Sequence, residues 1–389
     1  MALTVLVYQR TSSPLLAALT FAIGHLPWLL GGPFLATFAD RLPRHRVLIA
    51  TDAARAVVLA GMAIPGTPLP LLLGLLFLVS LCAPPFESAR SALMSEVLDG
   101  DRYAVATSLT NITLQLAQVV GFLGAGALVA LLSPSAALLI DALTFAVSAT
   151  WLWAGLKRRP APAGEDDGPR SVWRDTGEGL RLIGRSPRLL AIIGVLWVGT
   201  MFAYASEGVA APLVEELGSG STAAIGILLA ANPLGVALGG LVIARLVPPD
   251  RREGLVVPLV VLSLTPLLAA GLVAVLAGPG RMPFAVVVGL MFISGVGASW
   301  LIPLNVSFVR AVPNAYRGRA FGVAVSGLYG VQALGAMGAG LGAEGLSASW
   351  VLALSGGIGL LAVAPPLLAY RRTPAAVAAA GSGEGRSEA

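Results

Sequence analysis

Gln118-Val-Val-Gly121-Phe-Leu-Gly124-Ala-Gly126 recurs 214 residues later as Gln332-Ala-Leu-Gly335-Ala-Met-Gly338-Ala-Gly340. The same offset sets Ala106 against Ala320 and the apolar Leu98 against Val312 without a gap. The two copies share mainly small residues. Small residues let helices approach closely inside a membrane, where lipid is as apolar as the side chains and packing must supply the attraction. Each copy also follows an arginine-bearing loop at the same place in its half of the chain. The chain therefore reads as two parallel halves.

The rest of the sequence fits a membrane setting. Of 389 residues, 56% are hydrophobic and only 12% charged, too few polar residues to cover a soluble domain of this size. Apolar runs long enough to cross a hydrocarbon core of about 30 Å recur along the whole length. Lipid leaves no partner for a bare backbone amide, so such runs must be helices. The short alternating strands of a membrane β-barrel are absent from the sequence. The net charge of +5 sits in loops between apolar runs, which argues against nucleic acid as a partner. A single cysteine, Cys82, excludes a disulfide framework, and with only His25 and His45 no metal or other cofactor is expected. A lone membrane histidine reads as a packed or hydrogen-bonded residue.

Eleven full spans are expected, at 14–38, 47–65, 68–92, 103–132, 135–156, 189–211, 221–247, 254–277, 283–309, 317–342 and 347–370. Ahead of them, Met1 to Tyr8 is apolar but too short to cross a bilayer. It reads as the outer end of a first span whose beginning lies upstream. The domains expected are a helical bundle at 1–156, a linker at 157–188 with an amphipathic helix over 171–185, a second bundle at 189–372, and a polar tail at 373–389. One set of loops carries Arg41, Arg44, Arg46, Arg90, Arg102, Lys157 to Arg188, Arg245, Arg251, Arg252, Arg310, Arg317, Arg319, Arg371 and Arg372. The opposite set carries Arg10 and Arg281. Basic loops stay in the cytoplasm, so the linker and C-terminus are expected there. Two parallel halves joined by a linker are a transporter architecture with its site near the midplane.

Phe34-Leu-Ala-Thr-Phe-Ala-Asp40-Arg41-Leu-Pro-Arg44-His-Arg46 follows the second span. It resembles the loop motif of the major facilitator superfamily. Glu178-Gly179-Leu180-Arg181 and Ala89-Arg90-Ser91-Ala92 resemble the subgroup of enterobactin exporters and macrolide efflux proteins. The sequence departs from the family pattern at Ala36 and Pro43, where glycine is usual, at Ala244 in the second-half loop, and at Phe122, where drug antiporters have proline after Gly121. The resemblance implies an all-α membrane protein with two pseudo-symmetric six-helix bundles, here eleven full spans plus a partial first helix. It implies a monomer of bacterial-type plasma membrane that exports small molecules of drug or siderophore type by alternating access, coupled to protons; few fixed charges in the spans point to an amphiphilic cargo, and with no HExxH, phosphate loop or Ser/His/Asp set no enzymatic activity is expected. The competing reading is a membrane scaffold or truncated transporter that carries nothing.

The family motif implies a cytoplasmic gate. Asp40, flanked by Arg41, would face the start of span eleven near Arg319, where a carboxylate complements the helix dipole. Arg44 would pair with Glu96. Charges inside spans usually face the bundle interior or a wet cavity. Glu87 and Arg90 lie three apart on span four and share a helix face. Glu207 on span seven has no basic neighbour on its own helix. These three are candidates for substrate binding or proton coupling. Asn111, Gln115, Gln118, Tyr204, Asn232, Trp300, Asn305, Tyr329 and Gln332 are candidates to line the pocket. Asp52 and Arg55 read as a local pair.

Overall fold

The computed structural model describes residues 2–30, 42–98, 101–157, 172–313 and 316–373, and every regular element among them is helical. A short α1 (Ala2–Thr11) turns through Ser12, whose φ is 51°, into α2 (Pro14–Leu30). The first half continues with α3 (Arg44–Met62), α4 (Leu69–Leu81), α5 (Ala83–Val97), α6 (Asp101–Leu131) and α7 (Pro134–Gly155). Helix α8 (Val172–Arg185) precedes the second half. That half comprises α9 (Pro187–Ala203), α10 (Ala205–Gly208), α11 (Ala210–Glu216), α12 (Thr222–Leu246), α13 (Pro249–Arg252), α14 (Val256–Ala277), α15 (Arg281–Ala298), α16 (Leu301–Ala311), α17 (Arg317–Gly345) and α18 (Ala348–Arg372).

Nine helical segments among the described residues are long and apolar enough to cross a membrane. Four of the spans start at a serine: Ser133, Ser186, Ser221 and Ser347 each accept a hydrogen bond from a backbone N–H three residues on. The cap satisfies a donor that lipid could not. Large apolar side chains point outward: Leu276 is 83% exposed, Leu131 81% and Trp151 75%. A soluble surface would not tolerate so many, and a lipid-facing one requires them.

Three spans expected to be continuous are broken. Span four breaks at Cys82 between α4 and α5, span seven at Tyr204 and Val209, and span ten at Ser299–Trp300. A proline ring clashes with the carbonyl four residues before it and supplies no N–H. Pro85 thus disrupts the helix at Leu81, Pro212 at Gly208 and Pro303 at Ser299, each beside an observed break. Pro233 and Pro266 remain inside continuous helices, so proline alone does not decide.

The repeat explains how the halves meet. Its last aligned glycines are Gly126 on α6 and Gly340 on α17, and both lie at a contact between halves. A Cβ added to Gly126 would come within 3.0 Å of Gly226 Cα on α12. One added to Gly340 would overlap Ala18 Cβ and lie 2.9 Å from the Pro14 carbonyl oxygen on α2. Equivalent helices therefore touch equivalent partners, span five on span eight and span eleven on span two. Around these points Tyr8 Oη donates to Glu215 at 2.7 Å, and Glu344 accepts from Ser13 Oγ at 2.5 Å and from the Leu15 N–H at 3.2 Å. Deeper in, Trp28 stacks on Tyr329 at 4.6 Å between centroids, and His25 and Phe21 approach Tyr329 and Tyr204 at 5.8 and 6.2 Å. Glu344 and Tyr329 are 15 residues apart on α17. At 1.5 Å per residue this contact zone is about 22 Å deep, out of a hydrocarbon core of about 30 Å. It starts at the end that carries Arg10 and Arg281.

Helix α8 lies within the expected 171–185 but does not rest on a surface alone. Its Gly179 packs on the backbone of Arg319 and its Ile183 is buried. Leu180, one position on from Gly179, is turned outward and exposed. Within the first half, Asp52 is buried, accepting from Ser148 Oγ at 2.6 Å and pairing with Arg55 at 3.3 Å. The Arg55 guanidinium sits between the rings of Phe86 and Phe145, 5.0 and 5.2 Å from their centroids.

Candidate functional site

The helix breaks of spans seven and ten face one another across a cavity of about 150 Å³. Span seven brings Thr200 from α9, Tyr204 from its break and Glu207 from the four-residue α10, while span ten brings Trp300 from its break. Asn232 comes from α12, and Gln115 and Gln118 come from α6 of the other half. The cavity therefore lies between the halves. Phe122, Leu228, Leu229, Val236 and Met291 make its apolar walls.

Its polar groups are unevenly satisfied. Trp300 is 1% exposed and Thr200 3%, yet neither Trp300 Nε1 nor Thr200 Oγ1 finds a hydrogen-bond partner. Buried polar groups without partners are rare and call for an explanation. No Lys, Arg or His lines the cavity, and none of the ion pairs found among the described residues involves Glu207. A carboxylate at this depth is costly unless a cation or a proton accompanies it. Among the described residues no cluster of His, Cys, Asp or Glu could hold a metal ion.

The other candidate residues fall as follows. Asp40 and Arg41 lie outside the described residues, as does the side chain of Asn111 on α6. Arg44 Nη1 is 2.8 Å from Glu96 Oε2 and donates at 2.9 Å to the Ala92 carbonyl. Glu87 and Arg90 pair at 2.5 Å on α5, and both are about one-third exposed. Arg319 pairs with Glu178 of α8 at 2.6 Å. Asn305, Tyr329 and Gln332 do not line this cavity. Leu304 and Phe308 turn into the core of α16 and leave Asn305 on the exposed side. Tyr329 is committed to its stack on Trp28, and Gln332 is buried within the packing of α17. Thr200 carried no signal in the sequence, being one hydroxyl in an apolar span. The aromatic set of Phe21, His25 and Trp28 could have been found from its spacing along one face of α2.

The sequence profile described as Major Facilitator Superfamily matches residues 1–247 and again 196–388, so that each half of the chain meets it. The chain belongs to the major facilitator superfamily. It is a major facilitator transporter with that superfamily's two-bundle fold. Among curated proteins it is 24% identical over 360 residues to YfiS of Bacillus subtilis (strain 168), an uncharacterized MFS-type transporter, covering 91% of this chain and 84% of that one. Rv0037c of Mycobacterium tuberculosis, another uncharacterized MFS-type transporter, is 28% identical over 174 residues, or 42% of this chain and 38% of that protein. Among solved structures, the nucleoside transporter NupG superposes with a TM-score of 0.70 at 14% identity, covering 92% of this chain and 91% of that one. A bacterial homolog of the human lysosomal transporter Spinster, in an inward-facing and unoccupied conformation, superposes with 0.69 at 15% identity, covering 95% and 93%. At such identities the two structures speak to the major facilitator fold and not to cargo.

Proposed function

We propose that the chain is a secondary transporter that exports small amphiphilic molecules across a bacterial-type plasma membrane, in exchange for protons and as a monomer. Two bundles, 1–156 and 189–372, rock about the cavity, with the linker and C-terminus in the cytoplasm. The observation that carries this reading is the cavity between the halves, built where spans seven and ten are broken. Broken helices at the midplane are a common way to build a transport site, because the irregular backbone lines a cavity rather than lipid. Apolar walls with one uncompensated carboxylate suit an amphiphile better than a sugar or a phosphate. Glu207 is the group that alternates between cargo and proton, and the Glu87–Arg90 pair flanks the path. On the cytoplasmic side Asp40, Arg41 and Arg319 form the gate, with Arg44 held by Glu96. The loop motif and the short matches at Ala89–Ala92 and Glu178–Arg181 support a place near the enterobactin and macrolide exporters.

The test is flux. The full chain is reconstituted in proteoliposomes and screened against labelled small amphiphiles, with and without an imposed pH gradient. Gradient-dependent movement of at least one of them, reduced in Asp40→Asn, is expected. Transport that ignores the gradient removes the proton from the account. No movement of any amphiphile, with the protein inserted and folded, overturns the reading as a whole.

A further inference from the structure

Resting on the transport reading of this cavity, we propose that it selects its cargo by a small head group: a protonated amine for Glu207, joined to an uncharged acceptor oxygen for Trp300 Nε1 and Thr200 Oγ1.

Three features of the cavity impose these terms. The first is charge. Glu207 shares the cavity with no basic side chain, so an ammonium group entering the site supplies the missing counter-charge. The second is polarity of the opposite sense. An indole N–H can only donate, and a threonine hydroxyl can do so as well. Both are more than nine-tenths buried and without partners at the cavity wall. A ligand acceptor oxygen at this wall is the partner such donors lack. That oxygen has to be uncharged, a hydroxyl, ether or carbonyl. A carboxylate would add a second negative charge beside Glu207 with no cation to offset the pair. The third is size. At about 150 Å³ the space matches an engineered protein cavity known to take up benzene. It admits a ring-sized head and not a whole drug-sized molecule, whose pockets run to about 300–1,000 Å³. The walls of Phe122, Leu228 and Met291 suit the carbon skeleton between the two polar points.

Four small molecules of nearly equal size separate these terms. Phenylethanolamine carries ammonium and hydroxyl. Phenethylamine lacks the hydroxyl, 1-phenylethanol lacks the ammonium, and mandelate has a carboxylate in its place. Their affinities are measured by calorimetry on the purified full chain, without any transport step. Phenylethanolamine is expected to bind at least about tenfold tighter than either 1-phenylethanol or phenethylamine, the factor for one charge-assisted or one otherwise unmet hydrogen bond. Mandelate is expected to show no binding. In Glu207→Gln the preference for the amine over 1-phenylethanol falls to within about twofold, while 1-phenylethanol binding persists and reports a folded cavity. In Trp300→Phe the preference for the hydroxyl falls and that for the amine stays. Equal binding of 1-phenylethanol and phenylethanolamine to the wild-type chain, tight mandelate binding, or an undiminished amine preference in Glu207→Gln would each overturn the proposal. A chain that shows the expected pattern yet moves nothing across vesicles refutes transport and leaves this inference standing. A chain that moves amphiphiles without any amine preference does the reverse.

Discussion

Gly340 is a point of close approach between the halves in the contact zone, and replacing it with alanine separates them. The added methyl overlaps Ala18 Cβ and lies 2.9 Å from the Pro14 carbonyl oxygen. The backbone oxygen cannot turn aside as a side chain could, so α2 and α17 must part. Forcing one methyl into a packed interface costs about 1–3 kcal/mol. The cost falls only on the state in which these helices touch. The ratio of closed to open forms at this end should therefore drop by about 5- to 150-fold. Spin labels at Leu132→Cys and Leu346→Cys, on a Cys82→Ser background, sit on exposed positions of opposite halves near the closed end. Pulsed electron–electron distance measurements should show the long-distance population growing in Gly340→Ala. Gly338→Ala is the control, because a Cβ there meets no heavy atom within 4 Å. An unchanged distribution in Gly340→Ala, or an equal change in Gly338→Ala, would refute the reasoning.

Glu344→Ala removes the acceptor for Ser13 and Leu15. At this exposed site it should shift the same distance distribution in the same direction but by clearly less than Gly340→Ala does. Arg55→Met leaves the buried Asp52 without its cation and should cost about 3–5 kcal/mol, read as a large loss of thermal stability. Asp52→Asn leaves Arg55 its two aromatic rings and should cost less; the opposite order would count against the pair as described. Pro303→Ala restores an N–H and removes the clash at Ser299, so hydrogen exchange over residues 299–303 should slow as the helix heals. Unchanged exchange there would mean that packing, and not proline, sets the break.

Much of this architecture was legible in the sequence, for identifiable reasons. A membrane span announces itself by length and apolarity, because lipid allows no alternative to a helix. The repeat was legible because both copies answer to one constraint, the approach of Gly126 and Gly340 to a helix of the other half. Arg44 and Glu96 could be named as partners only through the family resemblance, since 52 residues separate them. The helix breaks were harder to see. Pro85, Pro212 and Pro303 lie beside breaks, whereas Pro233 and Pro266 do not, so a proline in the sequence does not by itself mark a break. The cavity followed the breaks, so its polar list was only partly readable. Gln115, Gln118, Tyr204, Glu207, Asn232 and Trp300 line it. Tyr329 and Gln332 look equally suitable in sequence but are spent on packing. Thr200 became visible only once its hydroxyl was seen buried without a partner.

In alternating access the cavity opens in turn to the two sides of the membrane. This opening is tested most directly by a single cysteine at Gln118, on a Cys82→Ser background, labelled with a membrane-impermeant maleimide in sealed vesicles of each orientation. Gln118 lines the cavity from the first half. Labelling is expected from both faces, faster from the face of the Arg44 loop, with Gly340→Ala raising the rate from the Arg10 face. Labelling from one face alone, in both the parent and the Gly340→Ala chain, would contradict alternating access.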